Sequence, residues 1–186
     1  MRDPNDVSAS ELLDLWMENS PEAVIRISLG KSEEMCTSEM KLTGKSVLGT
    51  ILRNYGGIIC CAGHVRHFGG ANRHCASLFE INTVKDGFPT LLPGLLVVAE
   101  DSGGGIFGIN CGFNKVYPNG SLFYLPQDSY QCEAMEIGHA DFVRWTLCMT
   151  RNKWKEYGWG CGREPFTDLR KADLMLKGRV CTYIAL

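Results

Sequence analysis

With 186 residues, 45% hydrophobic and 10% aromatic content, the chain is sized for one globular domain, and such a chain buries about 70% of its unfolded surface, enough to hold a core without metal or disulfide. Its 19 Lys and Arg against 21 Asp and Glu leave a net charge of -2, which excludes a disordered chain and gives no electrostatic footprint for nucleic acid. No apolar run approaches the ~20 residues of a bilayer span, Met1 to Asp6 carries acids and Pro4 where a secretory signal carries basic residues, and nine cysteines fall short of a disulfide scaffold, so a cytoplasmic protein with reduced thiols is expected.

Ser8 to Glu11 has capping-box spacing, and Leu12, Leu13, Trp16 and Met17 then fall on one helical face. The polar run Lys31 to Glu39 reads as a connection. Ser46 caps a second helix, with Val47, Leu48, Ile51, Leu52 and Tyr55 on one face and Gly56-Gly57 as its stop. The period then changes to that of strands: Ile58 to Cys61, Leu95 to Ala99, Ile106 to Ile109, Ser121 to Leu125 and Cys132 to Ile137 are short runs punctuated by Gly, Pro, Asn and Asp. A third helix is expected from His139 to Asp141 onward, with Phe142, Trp145, Thr146 and Met149 on its inner stripe. Helices, a strand meander and a closing helix predict an α+β fold over a single domain, residues 1–186. Trp16, Ile51, Leu52, Val97, Phe107, Phe142 and Trp145 are expected to share one core.

Charge is uneven along the chain. Residues 151–180 hold eight basic and four acidic side chains, a local net of +4, which leaves -6 for the remainder. That distribution fits either a solvated segment or a polarised surface that orients a charged partner.

Four motifs carry candidate chemistry. Gly103 to Gly108 satisfies G-x-G-x-x-G, but a dinucleotide loop must open a helix, and Ile106, Phe107 and Ile109 read as a strand; a hairpin turn over Glu100 to Gly105 is the expectation. Asp101-Ser102-Gly103-Gly104 and Cys61-Ala62-Gly63-His64 resemble segments of trypsin-like proteases. Glu100 stands where that family has glycine, however, and 38 positions between His64 and Ser102 are too few for its two barrels. Cys60, Cys61, His64, His67, His74 and Cys75 crowd into sixteen residues, which suggests zinc ligands or a thiol nucleophile with a histidine base; adjacent Cys60 and Cys61 in a strand would point to opposite faces. No hydrolase site is expected: neither Ser102 with His64, nor any cysteine with His64, His67, His74 or His139, should combine a hydrogen bond, a third orienting group and a concave pocket. Trp159, flanked by glycines and basic residues, is a candidate interface anchor.

Leu48 to Gly57 with Ile58-Ile59, Leu92 to Asp101 with Gly103 to Asn110, Phe123 to Asp128, and Ala140 to Trp145 together resemble an uncharacterised bacterial domain-of-unknown-function family, and their pattern is similar to that of the wider SUKH superfamily. The resemblance implies a curved antiparallel sheet flanked by helices, with a core at 45–150 and a basic extension at 151–186. It also implies a protein-binding role of the kind that lets immunity proteins neutralise toxins. The reading is therefore a non-enzymatic, cofactor-free binding protein expected to contact a protein partner, such as a basic toxin, through Glu100, Asp101, Asp128 and Trp159, and neither nucleic acid nor membrane. The alternative is a small thiol- or zinc-dependent enzyme using Cys60, His64, His67, His74 and Cys75.

Overall fold

The computed structural model describes residues 7–30, 43, 45–70, 72, 76–83, 92–129 and 131–157. His74, Cys75, Trp159 and most of the basic extension lie outside them. In chain order the elements are α1 (Ala9–Glu18), β1 (Ile25–Ile27), α2 (Val47–Asn54), β2 (Gly57–Cys60), a 3-10 turn (Cys61–Gly63), β3 (Val65–Phe68), α3 (Leu78–Asn82), β4 (Leu95–Asp101), β5 (Ile106–Asn110), β6 (Ser121–Leu125), β7 (Glu133–Gly138), α4 (His139–Leu147) and α5 (Arg151–Glu156). The strands form one seven-stranded antiparallel sheet in sequence order. The fold is α+β, as the segregation of helical and strand periods requires.

Local chemistry sets the helix starts. The Ser8 hydroxyl accepts from the Glu11 amide at 3.2 Å while the Glu11 carboxylate accepts from the Ser8 amide at 2.9 Å, so two orphan donors of α1 are satisfied reciprocally. α1 buries Leu13 and Met17, and Trp16 is half-buried against the same core. In α2 the Ser46 hydroxyl accepts from Gly49 N–H at 3.0 Å, and every residue from Val47 to Leu52 is buried.

Four elements escape the sequence reading: β1, β3, α3 and α5. β1 has only three residues. α3 has a capping box between Ser77 and Glu80, a signal present in the sequence before a run of five residues. β3, Val65-Arg66-His67-Phe68, is buried at all four positions. Strands covered on both faces lose the alternation that marks half-buried ones, and here Arg and His replace apolar residues, so the segment reads as a loop.

On one face of the sheet Ile58, Cys60, Val65, Ala99, Phe107, Leu122 and Tyr124 join Leu13, Ile51, Phe142, Leu147 and Trp154 from the helices. Val98 is the extra residue of a bulge in β4, where the register with β5 shifts between Val97 and Ala99. On the opposite face Phe123 meets Phe113 and Tyr117 at ring separations of 5.9 and 5.4 Å. Those rings sit on the β5–β6 connection, which Asn110 ties down by donating to the carbonyls of Asn114 and Tyr117 at 2.8 and 2.9 Å. No helix among the described residues is long and apolar enough to cross a membrane.

Candidate functional site

The glycine-rich segment is a hairpin turn: β4 ends at Asp101 and β5 begins at Ile106. The Asp101 carboxylate organises it, accepting from Gly104 and Gly105 N–H at 2.7 and 3.0 Å and from the Tyr124 hydroxyl at 2.6 Å. Burial raises the Asp101 pKa despite these donors, and burial followed by the Asp101 charge pushes the Tyr124 phenol up. A Cβ on Gly105 would lie 2.4 Å from the Tyr124 ring, so glycine is required by that approach rather than by a phosphate.

Two of the acids expected to meet a partner therefore face inward. Glu100 is opposite Arg66 in the β3–β4 register and is ion-paired with it at 2.8 Å, the side chains 3% and 1% exposed; the Arg66 guanidinium also sits 5.1 Å above the Phe68 ring centre. Asp101 is fully buried. Glu100 and Asp101, named from sequence as partner contacts, are instead each engaged by a side chain inside the sheet. Asp128 is exposed on the β6–β7 connection.

A row of buried polar groups follows β3. Ser102 Oγ lies 2.9 Å from His64 Nδ1, which is one part of the triad geometry, but His64 Nε2 has no partner among the described residues, so among them no acid orients the ring as a triad requires. Burial, then the charges of Arg151 and Lys155, hold the His64 pKa below its ordinary value. His67 Nε2 lies 2.8 Å from the Thr146 hydroxyl. That hydroxyl donates to the Val143 carbonyl at 3.0 Å, so toward the ring it accepts, leaving His67 Nε2 protonated and Nδ1 as the acceptor.

Cys60 and Cys61 converge on the same helix. β2 ends at Cys60, and Cys61 and Ala62 turn the chain with φ of 53° and 52°, a left-handed conformation that only glycine adopts freely. Both thiols thereby reach the Thr146 region instead of opposite faces: Cys61 Sγ donates to the Thr146 carbonyl at 3.0 Å. Burial raises the Cys60 pKa, but interactions with Cys61, His67 and Thr146 outweigh it and hold the thiol below its ordinary value. Cys61 is pushed up by its hydrogen bond to Cys60 and then by burial. Nucleophile, imidazole and orienting hydroxyl thus come together at Cys60, His67 and Thr146, all at most 1% exposed. Among the described residues no group of three or more His, Cys, Asp or Glu side chains is placed to hold a metal ion.

An open concavity lies elsewhere. β7 and α4, with Tyr157 just after α5, enclose a groove of about 420 Å³ lined by Glu133, Ala134, Met135, Ile137, Asp141, Trp145 and Tyr157. Trp145 and Tyr157 meet at 5.4 Å and 78°, forming an aromatic corner with Tyr157 49% exposed. The charged residues lining it are both acids. Among the described residues β7 is the last strand of the sheet, and its bulge opposite Leu122 holds Glu136 at φ 55°. Of the groove only Trp145 figured among the expected core residues; the signal for the rest was two acids spaced along a strand and helix whose apolar sides flank them.

Residues 3–176 match a protein family described as "Protein of unknown function DUF2625". The chain is 24% identical over 141 residues to an uncharacterised Escherichia coli (strain K12) protein, YbfG, an alignment covering 75% of this chain and 64% of YbfG. No solved structure matches.

Proposed function

From the premise that the chain belongs to the DUF2625 family, we propose that it is a protein-binding module whose β7–α4–Tyr157 groove takes a basic segment of a partner protein. The observation that carries this is the lining itself: an aromatic corner, a thioether and two carboxylates, Glu133 and Asp141, with no basic side chain among the lining residues. A Lys or Arg side chain satisfies both halves of that surface, its charge meeting the carboxylates and the ring faces and its aliphatic stem meeting Met135 and Ile137. Exposed Glu136 and Asp128 add acidic potential beside it, and the outer edge of β7 can pair with an extended segment. The SUKH-like fold and the immunity role, neutralisation of a basic toxin, rest on sequence resemblance, and the basic-partner chemistry agrees with them.

A Lys- and Arg-rich peptide, titrated by tryptophan fluorescence, should bind with an association rate that falls between about 50 and 500 mM salt as screening shortens the Debye length. The paired variant Glu133→Gln/Asp141→Asn should lose that salt dependence and most of the affinity. Equal binding of an acidic or a neutral apolar peptide, or an unchanged double variant, would overturn the proposal.

A second reading, a thiol-dependent enzyme, has the Cys60–His67–Thr146 cluster in its favour and the complete burial of Cys60 against it.

A further inference from the structure

Independently of the groove, we propose that Cys60 and Cys61 are a modification site: a vicinal dithiol that an oxidant of the peroxide class converts to a disulfide. Four observations support this. The two cysteines are neighbours in the chain, Cys60 ending β2 and Cys61 opening the 3-10 turn, and both belong to one buried cluster. The backbone at Cys61 and Ala62 is held in the left-handed region, which turns the Cys61 side chain back toward the helix that Cys60 already faces. Cys61 Sγ is anchored on the Thr146 carbonyl at 3.0 Å. His67 shares the sheet face of Cys60 in the β2–β3 register and meets the same helix, its Nε2 2.8 Å from the Thr146 hydroxyl. Backbone strain of this kind persists only where surrounding structure imposes it, and it concentrates at sites that use it.

The chemistry balances within the cluster and one peroxide. The Cys60 thiol gives up its proton, with His67 as the base at hand, and its sulfur attacks one peroxide oxygen. The O–O bond breaks, the departing oxygen takes that proton and leaves as water or an alcohol, and Cys60 holds a sulfenic acid. The Cys61 sulfur then attacks the Cys60 sulfur. The S–S bond forms, the S–O bond breaks, and the hydroxyl leaves with the Cys61 proton as a second water. Two thiols are oxidised by two electrons and the peroxide is reduced by two.

The position also decides how long such a bond lasts. Neighbouring Cα atoms are about 3.8 Å apart, closer than the roughly 4.4–6.8 Å of ordinary disulfides, so the bridge is strained and readily reduced. α5 packs over the 3-10 turn and buries one side chain, Trp154, and in this proposal its opening is what admits the peroxide. A six-residue helix held by one buried side chain opens at low cost.

The test uses the full chain. After exposure to hydrogen peroxide, the protein is unfolded in an alkylating reagent and cleaved after Arg53 and Arg66, which releases Asn54 to Arg66 with Cys60 and Cys61 as its only cysteines. The expected result is a peptide two hydrogens lighter with no alkyl group, restored to a doubly alkylated form by dithiothreitol. In Cys61→Ser, dimedone should trap a sulfenic acid at Cys60; in Cys60→Ser, Cys61 should give no adduct. A doubly alkylated peptide under conditions that consume the exposed Cys111 and Cys148, or a bridge from Cys60 to any cysteine other than Cys61, would overturn the proposal. The wild-type peptide decides the matter if either variant fails to fold.

Discussion

At the scale of single residues, the sheet holds charge and polarity where a chain of this hydrophobic content could have used apolar side chains. Arg66 and Glu100 are the clearest case, an ion pair with almost no exposure. Desolvating two charges offsets most of their attraction, whereas removing one partner strands the other. Glu100→Ala should therefore cost about 3–5 kcal/mol in urea titration, and Arg66→Met/Glu100→Leu together should cost far less than twice that. Additive losses would show that each side chain is stabilised by something other than its partner. Ala62 gives a prediction of opposite sign. At φ 52° its Cβ is unfavourable by about 1–2 kcal/mol, so Ala62→Gly should stabilise the fold by about 1 kcal/mol after the entropic cost of glycine. A loss of stability would mean that the alanine methyl packs well enough to offset the strain.

At the scale of elements, the β4–β5 hairpin is built from one carboxylate, two glycine amides and one phenol, and Gly105 is the point where they leave no room. Gly105→Ala should displace the Tyr124 ring, break its 2.6 Å bond to Asp101 and destabilise the protein by about 1–3 kcal/mol. If Gly105→Ala is neutral in denaturant titration, the close approach of the ring is not required. This hairpin was legible in the sequence because Asp and Gly mark turns by their own backbone preferences, as was α1 through the Ser8–Glu11 pair. What escaped was set by partners distant in sequence. Arg66 and His67 look like loop residues until Glu100 and Thr146 are seen beside them, and Glu100 looks like a surface acid for the same reason. The Cys60–Cys61 pair was misread because strand alternation was extended one residue too far: the left-handed turn at Cys61, adopted by a residue with no local preference for it, brings both thiols to one helix. The groove was missed because it is assembled from β7, α4 and the residue after α5, whose proximity no local pattern specifies.

At the scale of the whole molecule, two histidines with enclosed ring nitrogens, buried His64 and half-buried His139, give the fold a pH limit. Burial, then the nearby charge of His67, holds His139 at about 3, and burial together with Arg151 and Lys155 lowers His64. Neither has a hydrogen-bond partner on Nε2 among the described residues that would reward protonation. The unfolded chain takes up these protons near pH 6.5, before the folded one does, so it binds more protons throughout the interval below. Stability is then fully present above about pH 6.5 and falls as pH drops from there toward 3, each histidine contributing up to about 1.4 kcal/mol per pH unit. Asp101 acts in the reverse sense, since its raised pKa lets the folded state hold a proton longer than the unfolded state does; it offsets part of the loss only where its own proton is being taken up. Urea midpoints measured from pH 7.5 to 4 should decline, and His139→Gln, which removes the ionisable ring, should flatten the decline relative to wild type even if its stability at pH 7.5 is lower. The comparison of slopes isolates the histidine from the general protonation of surface carboxylates, which both proteins share. Parallel slopes for wild type and variant would show that His139 is protonated in the folded state at no cost, and that the enclosure around its Nε2 opens readily to water.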